Sequence, residues 1–161
     1  MSDWFVVNVA DAVAMEHDRG GIAIGFEDPR DPFSDFGVNI RVLQRGQPNG
    51  KYHSENVQED FLVLAGECVA IVGGEERRLR AWDFVHCPAG TDHIFVGAGE
   101  GPCAILMVGG RRPDKALHYP VDESAARYGA STPEPTTDPA TAYSDWERTF
   151  TPVTVDWPLQ R

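Results

Sequence analysis

From the start of the chain to about residue 110, apolar positions fall in short runs separated by Gly, Pro and Asp. They lack the 3.6-residue recurrence of an amphipathic helix. The pattern predicts strands over residues 4–9, 21–26, 37–43, 51–55, 59–65, 67–72, 76–80, 84–87, 93–97 and 102–108. Gly73-Gly74, between two such runs, signals a hairpin turn, and Asp28-Pro29-Arg30-Asp31-Pro32 signals a loop. Many short strands with regular turns imply an all-β sandwich or barrel.

Two of these runs are apolar on both faces. In residues 59–65, alternation sets Phe61 and Val63 on the side of Glu59, and Leu62 and Leu64 on the other. Residues 103–108 are apolar throughout. An antiparallel sheet usually leaves one face wet. A cover is therefore expected, either from the chain's own ends or from a second copy in a homodimer. The region after residue 112 reads differently. Asp122 is placed to cap a short helix that ends at Gly129, residues 131–139 are Pro/Thr-rich and predicted extended, and Ser144-Asp145-Trp146-Glu147 has the spacing of a capped second helix. Trp146, Phe150 and Trp157 are large apolar residues in a polar tail, which predicts that the tail packs on the barrel.

A length of 161 residues with 42% apolar content suits one domain with a sizeable core. Acidic residues outnumber basic ones 25 to 14, for a formal charge of −11, which argues against nucleic acid and anionic membrane as partners. The clusters Arg77, Arg78, Arg80 and Arg111, Arg112 read as solvated strand ends. Met1-Ser2-Asp3-Trp4 has no basic segment or apolar core of a signal peptide, and no apolar run reaches the roughly 18 residues of a spanning helix. Three cysteines, an odd number, argue against a disulfide framework and for a reducing, cytoplasmic setting.

The candidate chemistry lies in two segments. His53 and Glu55 are two apart on a predicted strand and leave the same face; Glu59 opens the next strand. His93 follows the turn Pro88-Ala89-Gly90-Thr91-Asp92. Two imidazoles and carboxylates converging from neighbouring strands are what a divalent metal needs.

The pattern His53-x-Glu55, three residues, Glu59, six residues, Gly66, followed by Pro88-x-Gly90-x-x-His93, resembles the two motifs of the cupins. The resemblance covers roughly residues 37–110. It implies a cupin jelly-roll barrel, with short helices in the C-terminal tail, and a metal in the barrel mouth. The chain then divides into residues 1–36 packing on the barrel, 37–112 as the barrel, and 113–161 as a tail on the barrel or a dimer partner. By position, His53, Glu59 and His93 match metal-ligand positions. Glu55 stands where the family has its second histidine, and is a fourth ligand, a neighbour of the ligands, or a general base. Asp83 and Gly97 replace the family's early Gly and final Asn. The implied cofactor is one divalent transition metal, Fe, Mn, Ni or Zn.

Tyr52, Phe61, Phe84 and Phe95 are candidate barrel-filling residues, and Tyr52, Phe61 and Phe95 candidate pocket residues. The implied function is metal-dependent oxygenation or isomerisation of a small organic molecule. The alternative is a non-catalytic barrel that binds or senses a metabolite. His86-Cys87 reads as a structural pair, Cys68 and Cys103 as core, residues 97–101 as a hairpin turn, and His17 and His118 carry no assigned role.

Overall fold

The computed structural model describes residues 4–147 and 149–157. The Met1-Ser2-Asp3 part of the expected leaderless start, and the last residues of the tail, lie outside the described residues. The fold is all-β. Its strands are β1 (Val13–His17), β2 (Gly21–Gly25), β3 (Phe36–Leu43), β4 (Ser54–Glu55), β5 (Glu59–Ala65), β6 (Glu67–Val72), β7 (Glu75–Arg80), β8 (Phe84–Cys87), β9 (His93–Ala98), β10 (Cys103–Gly110), β11 (Leu117–His118) and β12 (Thr151–Val153). Two four-residue helices follow the barrel, α1 (Glu123–Ala126) and α2 (Pro139–Ala142).

A seven-stranded antiparallel sheet runs β12-β1-β2-β3-β10-β5-β8. Opposite it stand β7-β6-β9 and the short pair β11-β4. These two pieces are joined because residues 46–53 run alongside β9, with bridges at Pro48–Val96 and His53–His93. The result is the double-sheet jelly roll that the spacing predicted.

Between the sheets lies the core of Leu43, Phe61, Val63, Phe95, Cys103, Ile105 and Met107. The alternation in β5 and β10 is as expected, with Phe61, Val63, Cys103, Ile105 and Met107 inward. The outward set, Leu64, Leu106 and Ala104, joins Ile24, Ile40 and Val42 in a second cluster. The chain covers this cluster itself. β1 and β2 extend the same face with Ala14, Ile22 and Ile24, and Val9 and Ala12 before β1 and Val153, Val155 and Trp157 from the tail pack against it. Trp146 instead stacks on His17, 5.2 Å between ring centroids, and meets Tyr143 edge-on, while Phe150 remains exposed.

Two local expectations are corrected outright. Residues 4–8 form no strand, and the first strand is β1, since a 3-10 turn capped by Asn8 occupies Val9–Asp11. The second helix begins at Pro139, not at Ser144. Asp138 accepts from the amides of Ala140 and Thr141, and proline in the first turn is pre-set for helix. Ser144-Asp145-Trp146 is the turn that follows. The first helix starts as predicted, with Asp122 accepting from Ala125 N, but it ends at Ala126, and Gly129 at φ +68° closes the turn that follows.

Two glycines are required by close approach. At Gly66, φ is +71° and a Cβ would lie 2.5 Å from the Pro102 carbonyl. At Gly97, a Cβ would overlap the Gln44 carbonyl, which explains why this chain has no Asn there.

The tail is held by Lys51, whose side chain is fully buried. Its ammonium donates to the carbonyls of Gly129 and Ser131 and pairs with Asp145 at 2.8 Å. Removing it strands two carbonyls in the interior. Lys51→Met is therefore expected to lower stability by about 3 kcal/mol and to expose residues 129–146 to limited proteolysis; an unchanged denaturation midpoint and digest would contradict this.

Candidate metal centre

The centre is assembled by one pair of backbone hydrogen bonds. His53 N donates to His93 O and His93 N to His53 O, at 3.2 and 2.8 Å. This antiparallel bridge puts the two imidazoles side by side, 5.1 Å between centroids. Glu59 enters from β5, on the other sheet. One donor atom from each of His53, Glu59 and His93 lies within 4.8 Å of the others, so the three form a group that could hold a metal ion.

The tautomers follow from the partners. His53 Nδ1 is 2.7 Å from the Lys51 carbonyl and His93 Nδ1 2.9 Å from the Thr91 carbonyl. A carbonyl only accepts, so each ring donates Nδ1–H and presents an Nε2 lone pair. Both rings are kept neutral by burial. His53, which also faces His93, is lowered to about 4, and His93 is lowered too. Glu59 is raised to about 7 by burial and by Glu55 nearby. Two neutral imidazoles fixed by backbone carbonyls, with one carboxylate that a cation would relieve, fit a divalent metal.

The structure places Glu55 beside this group, not within it. One oxygen is 3.9 Å from His53 Nε2 and the other is 2.6 Å from Lys115 Nζ. Glu55 is 8% exposed. The cavity above the centre has a volume of about 340 Å³ and is lined by all four motif residues and by Phe61, Tyr119 and Arg41, among others. Phe61 packs against His93, with centroids 5.0 Å apart.

Two expected pocket residues stand elsewhere. Tyr52 precedes His53 on an extended chain, so it points to the opposite face. There it is buried with Ile71, Ile94 and Ala125, and its hydroxyl accepts from Gly74 N. Phe95 is buried behind Phe61, 4.5 Å between centroids, and does not reach the cavity wall.

Several site residues were not legible. Arg111 was read as a solvated strand end, but it lines the cavity and grips Glu27 through two hydrogen bonds of 2.6 and 2.9 Å. Lys115, Tyr119 and Arg41 carry no motif. The available signal for Arg41 is alternation, because a charged residue occupies an inward position between Asn39 and Leu43. His86 is exposed and bonds Asp60, while Cys68, Cys87 and Cys103 are free and buried. Burial raises the Cys87 thiol to about 11, which leaves it a poor nucleophile.

A jelly roll with a His-Glu-His group in its mouth that could hold a metal ion defines a small double-sheet β-barrel protein. Residues 39–109 match the model of the cupin domain, and this part of the chain is a cupin domain. No curated protein shows significant sequence similarity to the chain. Among solved structures, it is similar to a sugar phosphate isomerase of the cupin superfamily from Silicibacter pomeroyi DSS-3, at 28% identity and TM-score 0.56, covering 65% of this chain and 73% of that one. The polyketide cyclase RemF from Streptomyces resistomycificus matches at 18% identity and TM-score 0.58, covering 70% and 83%. A putative sugar phosphate isomerase from Acidithiobacillus ferrooxidans matches at 18% and 0.54, covering 61% of this chain and 65% of that chain. Among the described residues, no helix is long and apolar enough to cross a membrane.

The raised Glu59 carboxyl has a stability signature. Its folded pKa of about 7 exceeds its ordinary 4.5, so its contribution is complete below pH 4.5 and is lost as pH rises through 7. Glu59→Gln removes that loss. In metal-free protein the variant should gain on wild type by about 2 kcal/mol between pH 4.5 and 7.5, a figure discounted for cavity solvent. Thermal denaturation after chelation measures it, and a pH-independent gap would contradict the placement. Adding a divalent ion should reverse the order, because only wild type keeps the third ligand.

Proposed function

We propose that the protein is a metal-dependent enzyme that moves a proton on a small hydroxy- or keto-compound, an isomerase-type reaction. The observation that carries this reading is a buried carboxylate, Glu55, beside the His53–Glu59–His93 group but committed to a lysine. Lys115 holds one oxygen of Glu55 and the other lies 3.9 Å from His53 Nε2, while Glu59 faces only neutral imidazoles and is costly in this cavity unless a cation or a reaction uses it. The 28% identity to a sugar phosphate isomerase supports the same class.

His53, Glu59 and His93 would hold the ion, which, when bound, acts as a Lewis acid on a substrate oxygen. Imidazole and carboxylate together suit Fe, Mn, Ni or Zn, and the second carboxylate nearby favours the harder Fe(II) and Mn(II). Glu55 would take the proton from the hydroxyl-bearing carbon next to the carbonyl and return it to the former carbonyl carbon, while the hydroxyl proton passes to the former carbonyl oxygen. Lys115 Nζ, 2.6 Å from one oxygen of Glu55, positions the carboxyl beside the ligand group. Tyr119, stacked on His53 at 5.6 Å and held protonated by burial, is a hydrogen-bond donor at the cavity wall. The free, buried cysteines fit a reducing compartment such as the cytoplasm.

We also infer a homodimer. Trp82 and Phe84 are 73% and 64% exposed, and Phe84 lies opposite Leu62 at the β8 edge of the large sheet. Light scattering should give twice the chain mass. Trp82→Ser with Phe84→Ser should give the monomer, and a monomeric wild type would refute the inference.

For the reaction, Glu55→Gln is expected to retain the metal measured by elemental analysis. It should lose at least 100-fold in metal-dependent exchange of substrate C–H for solvent deuterium. Loss of the metal in this variant would make Glu55 a ligand. Wild type that takes up none of Fe, Mn, Ni or Zn would remove the metal reading and favour a binding module.

A further inference from the structure

The cavity above the centre contains three cationic side chains and three acidic ones. Arg111 is paired with Glu27 and Lys115 with Glu55. Glu59 belongs to the His53–His93 group. Arg41 is left over. Among the described residues its side chain forms no hydrogen bond and no ion pair, and Tyr143 is the group whose charge it feels. Its β3 neighbours Ile40 and Val42 face the outer cluster, so Arg41 points inward, across from Ala23 on β2 and Ile105 on β10. Its surroundings are largely desolvated, which works against its charge. A guanidinium does not escape that cost by losing its proton.

Two further observations point to a ligand. Asn39, two residues earlier on the same face, lines the same cavity with a buried Oδ1 that has no hydrogen-bond partner, an acceptor open to a ligand hydroxyl, while its amide Nδ2–H can donate to an oxyanion. Arg41 also lines a second cavity of about 360 Å³, at the seam between barrel and tail, whose wall includes His17, Trp146 and Phe150. The two cavities share Arg41, Asn49, Gly50 and Tyr143. The unpaired cation thus stands where the polar cavity of the centre meets a mainly apolar one.

We propose that Arg41 is an anion-binding residue, and that the substrate carries a terminal carboxylate or phosphate held by its guanidinium while the reacting oxygen faces His53, Glu59 and His93. The planar fork of Arg matches either oxyanion through two parallel N–H···O bonds. Asn39 offers a second polar contact beside it. The substrate's place at the metal centre rests on the function proposed above; the anion contact itself does not. The apolar seam receives whatever carbon skeleton extends past the anion.

The test uses the full chain, metal-free and metal-loaded, with inorganic phosphate and malonate as probes in calorimetric titration. Wild type should bind one of the two, and that one identifies the oxyanion. Binding should persist without metal, which separates Arg41 from direct attachment to the ion. Arg41→Met should weaken it at least 30-fold, Arg41→Lys should retain part of it, and metal content should be unchanged in both. A purely structural arginine predicts that Arg41→Met melts lower. Here a partly buried charge that no acidic side chain pairs is being removed, so its melting temperature in anion-free buffer should equal or exceed that of wild type. Equal anion affinity in Arg41→Met, or no binding of either probe by wild type, would overturn the proposal. A chain that takes up no metal yet binds anion through Arg41 would leave it standing while the enzyme reading fell.

Discussion

The reciprocal hydrogen bonds between the backbones of His53 and His93 are the constraint on which the site depends. They join two segments forty residues apart in one antiparallel bridge, which fixes both imidazoles at the same depth and on the same face. The residues two positions away complete the arrangement. The Lys51 carbonyl takes one Nδ1–H and the Thr91 carbonyl takes the other. The lone pairs are therefore set by backbone geometry, before any ion arrives. Glu59 needs only the inward alternation of β5 to meet them.

Lys51 connects this centre to the rest of the molecule. Its carbonyl orients His53, its amide donates to the Tyr143 hydroxyl, and its ammonium holds the carbonyls after α1 and the Asp145 carboxylate. One residue thus couples the position of a ligand imidazole to the docking of the tail. The tail in return supplies Tyr143 to the wall of the central cavity and Trp146 to the seam.

Charge pairing in the cavity sorts its ionisable groups into roles. Glu27 and Arg111 tie the 27–35 loop to the end of β10, since Arg111 also donates to the Phe33 carbonyl. Glu55 and Lys115 form a neutral pair next to His53. Glu59 is held at a pKa near neutrality by burial and by Glu55, so an arriving cation displaces a proton from it. Stability and binding compete at this point. The arrangement that could receive a cation costs the fold stability as pH rises through the raised Glu59 pKa.

The barrel, most of its strand limits and the His53–Glu59–His93 set were legible because each rests on local rules. These are period-two alternation, glycines where φ is positive or a backbone crosses closely, and motif spacing that fixes face and register. Asp122 as a cap was legible for the same reason, while Pro139 outcompeted the capping pattern at Ser144 by setting the helix start itself. Tyr52 was misplaced although alternation already put it opposite His53. What the sequence alone determined was therefore which residues face inward and which two segments must meet. Whether Glu55 joins the other three or turns to Lys115, that Arg111 is matched and Arg41 is not, and that Val153, Val155 and Trp157 cover the outer sheet were decided only by tertiary structure. Those outcomes depend on which side chains from distant segments arrive within reach of a charge or an apolar face, and no local pattern encodes that distance.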